Sequence, residues 1–277
     1  MIQKLSISHL HPMRLQNKVI IVTGSCTGIG KAIAIRCAAE GARVVIHGLE
    51  RELGESVVAE LGSDRAVLHI EELTTDGCPR RLVDLAVASF GKLDGIVNNA
   101  AMVAQGNIHN TDAAFFMKML SVNTVAPFLL IQAGLPHLSA ARGSVLNIGS
   151  VNAWSGEPDL LPYSVSKGAL MTLTRNLGDT LMRENGVRVN QINPGWVLTE
   201  NEARRKREHG LRDDWYTDLP KVFAPAGRIL WPEEIAAAAV YWLADECGPI
   251  SGQVVDLEQH PFIGRNPPKD STTIPVK

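Results

Sequence analysis

One turn near the start of the chain constrains its fold more than any other feature. Val19–Thr23 reads as a short buried strand and Thr23-Gly24-Ser25-Cys26-Thr27-Gly28-Ile29-Gly30 as a glycine-rich turn. Ile29–Ala39 then reads as a helix that Gly41 stops, and a second apolar run follows at Val44–Ile46. Strand, turn, helix and strand in that order form a βαβ unit, which makes the strands parallel. Glycine lets backbone come close to an anion, and a helix N-terminus favours negative charge, so the turn suits a phosphate group. Gly30 permits tight helix–strand packing. The spacing is G-x-x-x-G-x-G rather than G-x-G-x-x-G, and a plain turn of an α/β protein is the alternative.

The alternation continues. Further strands are expected at Ala66–Ile70, Gly95–Asn98, Ser144–Ile148, Val187–Ile192 and Gln253–Leu257. Helices are expected at Arg80–Phe90, Asp112–Ala133, Tyr163–Arg183 and Pro232–Leu243. No internal repeat or low-complexity linker interrupts the series. The pattern predicts an α/β fold: one doubly wound parallel sheet with helices on both faces, over residues 15–260. Residues 1–14 read as an N-terminal extension and 261–277, rich in Pro, Ser and Thr, as a surface tail. Thr199–Pro225 is long, polar and charged and follows a strand end, where ligands bind in such sheets, so it is a lid candidate. Trp215 and Tyr216 would supply its apolar underside and Gly210 its hinge; a rigid surface helix is the alternative.

Composition narrows the setting. The chain has 277 residues, 45% hydrophobic and 20% charged, with a net charge of −2, so nothing suggests a nucleic-acid partner. Cys26, Cys37, Cys78 and Cys247 have neither metal-ligand nor redox-motif spacing, so no metal site is expected and a reducing cytoplasm is the expected location. The first residues lack the apolar core of a signal peptide, and no apolar run reaches the ~20 residues that span a bilayer. A soluble protein without a membrane partner is therefore expected.

The candidate chemistry lies in the second half. Tyr163-Ser164-Val165-Ser166-Lys167 opens a long helix, and the Tyr and Lys four apart share one face. A lysine cation beside a phenol lowers its pKa from about 10 toward the range of acid–base work. Ser150 ends a strand thirteen residues before Tyr163, and Asn123 interrupts an apolar helical stretch. Either Asn123 is satisfied by backbone at a helix bend, or it holds a water behind Lys167.

Together, Thr23–Gly30, Asn98-Asn99-Ala100-Ala101, Ser121–Phe128, Ser150, Tyr163–Lys167 and Asn193–Thr199 resemble the short-chain dehydrogenase/reductase family, in family order and spacing, over roughly residues 15 to 260. The resemblance implies a Rossmann-type fold and hydride transfer between NAD or NADP and a carbon bearing a hydroxyl or carbonyl. It implies Tyr163 as general acid/base, Lys167 as the group that tunes it and binds the nicotinamide ribose, Ser150 as a donor to the substrate oxygen, and Asn123 as holder of a proton-relay water. It places Gly24, Ser25, Thr27, Gly28, Ile29, Gly30, Gly48, Leu49, Glu72, Leu73, Asn99 and Ala100 along the adenosine and phosphate side. Pro194, Gly195, Val197 and Thr199 fall on the nicotinamide and phosphate side. Ala101 departs from the family's glycine, and Glu72 stands where an aspartate commonly meets the adenine.

Gly48 occupies the usual acidic position for the ribose of NAD, and neither Thr27 nor Leu49 is the basic residue of many NADP-preferring relatives. Glu50 could reach a ribose and Arg51 a 2′-phosphate, unless both simply begin the next helix; NAD is favoured slightly. Asn152, Glu157 and Trp196 are the candidate substrate residues, pointing to a small polar molecule such as a sugar, polyol or hydroxy acid. A 3-oxoacyl thioester reductase is the alternative, since Arg204-Arg205-Lys206-Arg207 could attract a carrier's phosphates; a non-catalytic nucleotide sensor is a third reading. Phe115, Phe116, Leu129, Leu130, Leu170, Leu173 and Leu177 exceed what one sheet face can cover, so a homo-oligomer, a tetramer as in relatives, is expected.

Overall fold

The computed structural model describes residues 13–261 except 155, 218, 222 and 223. Seven strands form one parallel sheet in the order β3-β2-β1-β4-β5-β6-β7. They are β1 (Val19–Val22), β2 (Arg43–Gly48), β3 (Ala66–Ile70), β4 (Gly95–Asn98), β5 (Ser144–Ile148), β6 (Arg188–Pro194) and β7 (Val254–Leu257). Ile20 pairs with Val44 on one side and Gly95 on the other, so β1 is the strand from which the order runs both ways. A crevice for ligand opens at such a switch point, beyond the carboxyl ends of the strands.

The strands read as apolar runs because both faces are covered. Ile20 and Val22 point into the core under α1 (Gly28–Ala39) and α8 (Pro232–Leu243). Val19 and Ile21 point into the opposite core, under α3 (Cys78–Phe90), α5 (Ala126–Ala141) and α6 (Leu161–Asn185). Helix punctuation follows local chemistry. Pro lies in the first turn of α3, α6 and α8, where its missing N–H costs nothing, and Gly91 and Gly186 end α3 and α6 at φ 83° and 67°.

Three elements differ from the sequence expectation. Arg51–Leu61 forms α2. The expected helix at 112–133 is α4 (Ala113–Leu120), a π turn over Ser121–Val125, and α5, which carries Pro136 inside it and runs on to Ala141. Within Thr199–Pro225, Glu200–Glu208 forms α7 and Trp215–Thr217 a 3-10 turn. The residues read as the extension and the tail lie almost wholly outside the described range.

By length and composition the run Ala113–Ala141 is apolar enough to cross a membrane, with a mean hydropathy of 1.6. Its Leu130, Ile131 and Leu138 pack on the sheet. Met117, Val125, Phe128 and Leu129 on the same run, and Val165 on α6, remain exposed.

Candidate active site

A cleft of about 1080 Å³ runs across the carboxyl ends of the strands. At its phosphate end Gly28 adopts φ +55°, a conformation that side chains disfavour, and opens α1. A Cβ on Gly30 would lie 2.2 Å from the Gly24 carbonyl oxygen, so this glycine serves packing. The Asn99 amide donates to the carbonyls of Thr23 and Gly24, and the backbone N–H groups of Asn99 and Ala100 donate to Thr23 Oγ1. Asn99 thereby clasps the turn as well as lining the cleft. Ser25 is fully buried; its hydroxyl donates to the Val22 carbonyl and accepts from His47 N–H, tying β1 to β2. Ser25, Gly30 and Asn123 do not line the cleft, whereas every other expected site residue does.

At the adenosine end the cleft is lined by Gly48, Leu49, Glu50, Glu72 and Leu73. The Glu50 carboxylate turns back to accept from Leu49 N–H at 3.3 Å, while Arg51 points to Glu55 at 3.6 Å and is not part of the lining. His47 also lines this end. Burial, then the neighbouring His69, holds its pKa down at about 4. It is therefore neutral, with Nδ1 accepting from Gly24 N–H and Nε2–H facing the Glu71 carbonyl at 3.0 Å.

Nearby, His69, Glu71 and Cys78 bring their ligand atoms within 4.8 Å of one another. Arg81 grips both Glu71 oxygens, His69 shares one of them, and burial pushes the Cys78 thiol up to about 12. The carboxylate charge is thus already balanced and the thiol protonated, which suits a polar clasp between β3 and α3.

At the chemical end β5 delivers Ser150 and the start of α6 delivers Tyr163 and Lys167 to one wall. Lys167 is 2% exposed; its ammonium donates to the Ile148 carbonyl at 2.8 Å and stands 5.8 Å from the centre of the Tyr163 ring. Burial lowers its pKa to about 8. Tyr163 is raised above its usual value by burial; a hydrogen bond with Ser150 and the charge of Arg205 pull it down, and Glu157 pushes it up. The net direction is opposite to the sequence expectation, because burial outweighs the neighbours that favour phenolate.

Asn123 sits in the π turn and is 1% exposed. Its Oδ1 accepts from Met102 N–H, and its Nδ2 donates to the Met102 carbonyl and to Ser166 Oγ. The wider π turn sets a polar side chain inward between the loop after β4 and α6.

Asn152 bonds Ser150 through its N–H and Glu157 through its amide. Trp196 stacks on Trp215 at 5.1 Å and donates its indole N–H to Glu202. Trp215 is 7% exposed and does not itself line the cleft. Pro194 at the end of β6 and Gly195, Val197 and Thr199 after it continue the wall, and Thr199 Oγ1 caps α7 by accepting from Glu202 N–H. Met102, Glu258 and His260 also line the cleft, and nothing in the sequence pattern singled them out. Arg205 and Lys206 do so as well; the sequence showed their basic run but not that α7 turns these two inward.

A family model described as enoyl-(acyl carrier protein) reductase matches residues 24–258. The chain is 34% identical to 2-(S)-hydroxypropyl-CoM dehydrogenase 3 of Xanthobacter autotrophicus, over 86% of this chain and 94% of that protein. It is 35% identical to L-fucose dehydrogenase of Mus musculus, over 84% of each. It is 29% identical to 3-oxoacyl-[acyl-carrier-protein] reductase of Thermotoga maritima, over 89% of this chain and 98% of that protein. With a parallel Rossmann-type sheet behind this cleft and matches that span nearly its whole length, the chain belongs to the short-chain dehydrogenase/reductase family and is an NAD(P)-dependent oxidoreductase acting on CH–OH groups.

Proposed function

We propose that the chain oxidises or reduces a small polar secondary alcohol or ketone, such as a sugar, polyol or hydroxy acid. The observation that carries this is the convergence of Ser150, Tyr163 and Lys167 with polar Asn152 and Glu157 on one wall of the cleft. Tyr163 gives or takes the proton at its phenol oxygen, a role that contributes ~10²–10⁴-fold in such sites. Burial favours the neutral phenol, the form that donates to a carbonyl oxygen. Ser150 donates to the substrate oxygen and keeps the phenol aligned. Lys167, anchored on Ile148, holds a cation one helical turn away. Asn123 fixes Met102 and Ser166, and Ser166 in turn donates to the Tyr163 carbonyl, so Asn123 braces the start of α6. Both of its amide hydrogens are used, so any relay water rests on its remaining oxygen lone pair or on backbone.

The residues fit a dinucleotide. Gly28 N–H already holds a carboxylate oxygen at 3.2 Å, which marks that position as an anion seat. Gly24, Thr27, Gly28, Ile29 and Thr199 would hold the diphosphate; Gly48, Leu49, Glu72 and Leu73 the adenosine; Pro194, Gly195, Val197 and Lys167 the nicotinamide half. When bound, the nicotinamide supplies or accepts the hydride. NAD is favoured over NADP because Glu50 lines the cleft, where it would accept from ribose hydroxyls and repel a 2′-phosphate, and Arg51 turns away.

The thioester alternative drew on the basic run. Each of its members has an acidic partner: Arg204 with Glu208, Arg205 and Lys206 with Glu202, and Arg207 with Asp213. Four cations thus share three carboxylates, and the outer two pairs are exposed at 3.9 and 3.7 Å, so the run is largely but not wholly neutralised and favours a carrier's phosphates only weakly. We further propose a cytoplasmic homotetramer, using the exposed apolar face of α4 to α6, and a lid formed by α7 and the segment after it. A panel of sugars, polyols, hydroxy acids and oxoacyl thioesters, followed by nicotinamide absorbance with each dinucleotide, tests the substrate class. Turnover confined to the thioesters overturns it.

A further inference from the structure

The first residue of α7 reaches across to the first residue of α1. Gly28 N–H donates to Glu200 Oε2 at 3.2 Å, and a Cβ on Gly28 would meet Thr199 at 3.2 Å and Glu200 Oε2 at 3.9 Å. Helix α1 has no acidic residue in its first turn, and its N-cap, Thr27, makes no side-chain cap. The anion that this helix terminus holds therefore comes from a residue 172 positions away. A helix N-terminus attracts negative charge through its unpaired N–H groups and its dipole, so the contact is favourable as it stands. A diphosphate seated on the same N–H group needs the same space and brings its own negative charge.

We propose that Glu200 is an internal competitor for the diphosphate seat: it occupies the seat in the free protein, and dinucleotide binding must expel it. This rests on the dinucleotide reading of the cleft given above. Expulsion breaks the contact between α1 and the start of α7. The same short helix carries Glu202, which holds Trp196, Arg205 and Lys206 over the substrate side. Glu200 thus sets dinucleotide affinity and links occupancy of the phosphate end to the position of α7.

The test is calorimetric titration of the purified full chain with NAD, NADP and inorganic pyrophosphate, in wild type, Glu200→Gln and Glu208→Gln. Glu200 is exposed, and Gln keeps its shape, so the variant retains the fold. Removing the competing charge is expected to tighten binding of the preferred dinucleotide and of pyrophosphate about 2- to 10-fold. Glu208→Gln, at the far end of α7, is expected to leave both unchanged. Hydrogen exchange over residues 200–208 is expected to rise on dinucleotide binding in wild type and to be already raised in free Glu200→Gln. If wild type binds a dinucleotide and Glu200→Gln binds it equally or more weakly, the competitor role is overturned and the dinucleotide reading stands. If wild type binds neither dinucleotide, both are overturned.

Discussion

Replacing Asn123 by Ala removes a brace whose cost can be worked from its bonds. The side chain satisfies the N–H of Met102 at 2.8 Å and the carbonyl of Met102 at 3.0 Å, and it donates to Ser166 Oγ at 2.9 Å. Ser166 keeps its own bond to the Tyr163 carbonyl, so the two Met102 groups carry most of the loss. Leaving a buried polar group unpaired costs about 1–3 kcal/mol, and Met102 is only part-buried, which favours the lower half of that range. A truncation cavity adds about 1 kcal/mol. The sum is about 3–5 kcal/mol. At about 2–4 °C per kcal/mol for a domain of this size, Asn123→Ala is expected to melt about 6–20 °C below wild type. Scanning calorimetry measures this directly. Turnover, assayed well below the new midpoint, should fall as well, because the start of α6 carries Tyr163. A variant that melts within 1 °C of wild type would refute the bracing argument.

Tyr163→Phe is expected to lose ~10²-fold or more in turnover while calorimetric dinucleotide affinity is kept; wild-type turnover would remove the phenol from the proton transfer. Gly28→Val should weaken dinucleotide binding, because a branched side chain at the start of α1 fills the space proposed for the diphosphate, and should lower the melting point as well, because a side chain at φ +55° is strained and its Cβ lies 3.2 Å from Thr199; unchanged affinity in a folded variant contradicts this. Burial pushes the Cys37 thiol up to about 12, so the folded state keeps a proton that the unfolded chain releases above about 9. Stability from this group is therefore present in full below pH 9 and falls as pH rises, by about 2 kcal/mol at pH 10.5. Cys37→Ala should show a shallower decline between pH 8.5 and 10.5 in denaturant titrations, and an equal slope would refute it. Leu129→Arg, on the exposed face of α5, should shift the sedimenting species of an oligomeric wild type toward monomer; a wild type that sediments as monomer at micromolar concentration would count against the oligomer itself.

The sequence by itself determined the parallel doubly wound sheet, because strand, turn and helix signals are local and their order leaves few topologies. It also determined the wall residues that belong to short motifs. Tyr163 and Lys167 share a face through helical spacing alone, and Gly24, Gly28 and Gly30 mark the turn through the backbone's need for glycine. Other features depended on what lies opposite a residue in space, which no local pattern records. Ser25 sits in the motif yet turns into the core, because β2 presents His47 N–H to its hydroxyl. Asn123 becomes a brace because a π turn rotates it toward Met102. Glu50 rather than Arg51 faces the cleft, and only Arg205 and Lys206 of a four-residue basic run turn inward, because the helix phase and the acidic partners are set by packing. The phenol of Tyr163 is raised where the Tyr–Lys spacing alone implied lowering, since burial is a property of the assembled chain and outweighs its neighbours here. The contact between Glu200 and Gly28 joins residues 172 positions apart, and it exists because the chain after β6 crosses back over the carboxyl ends of β5 and β4 to the turn after β1.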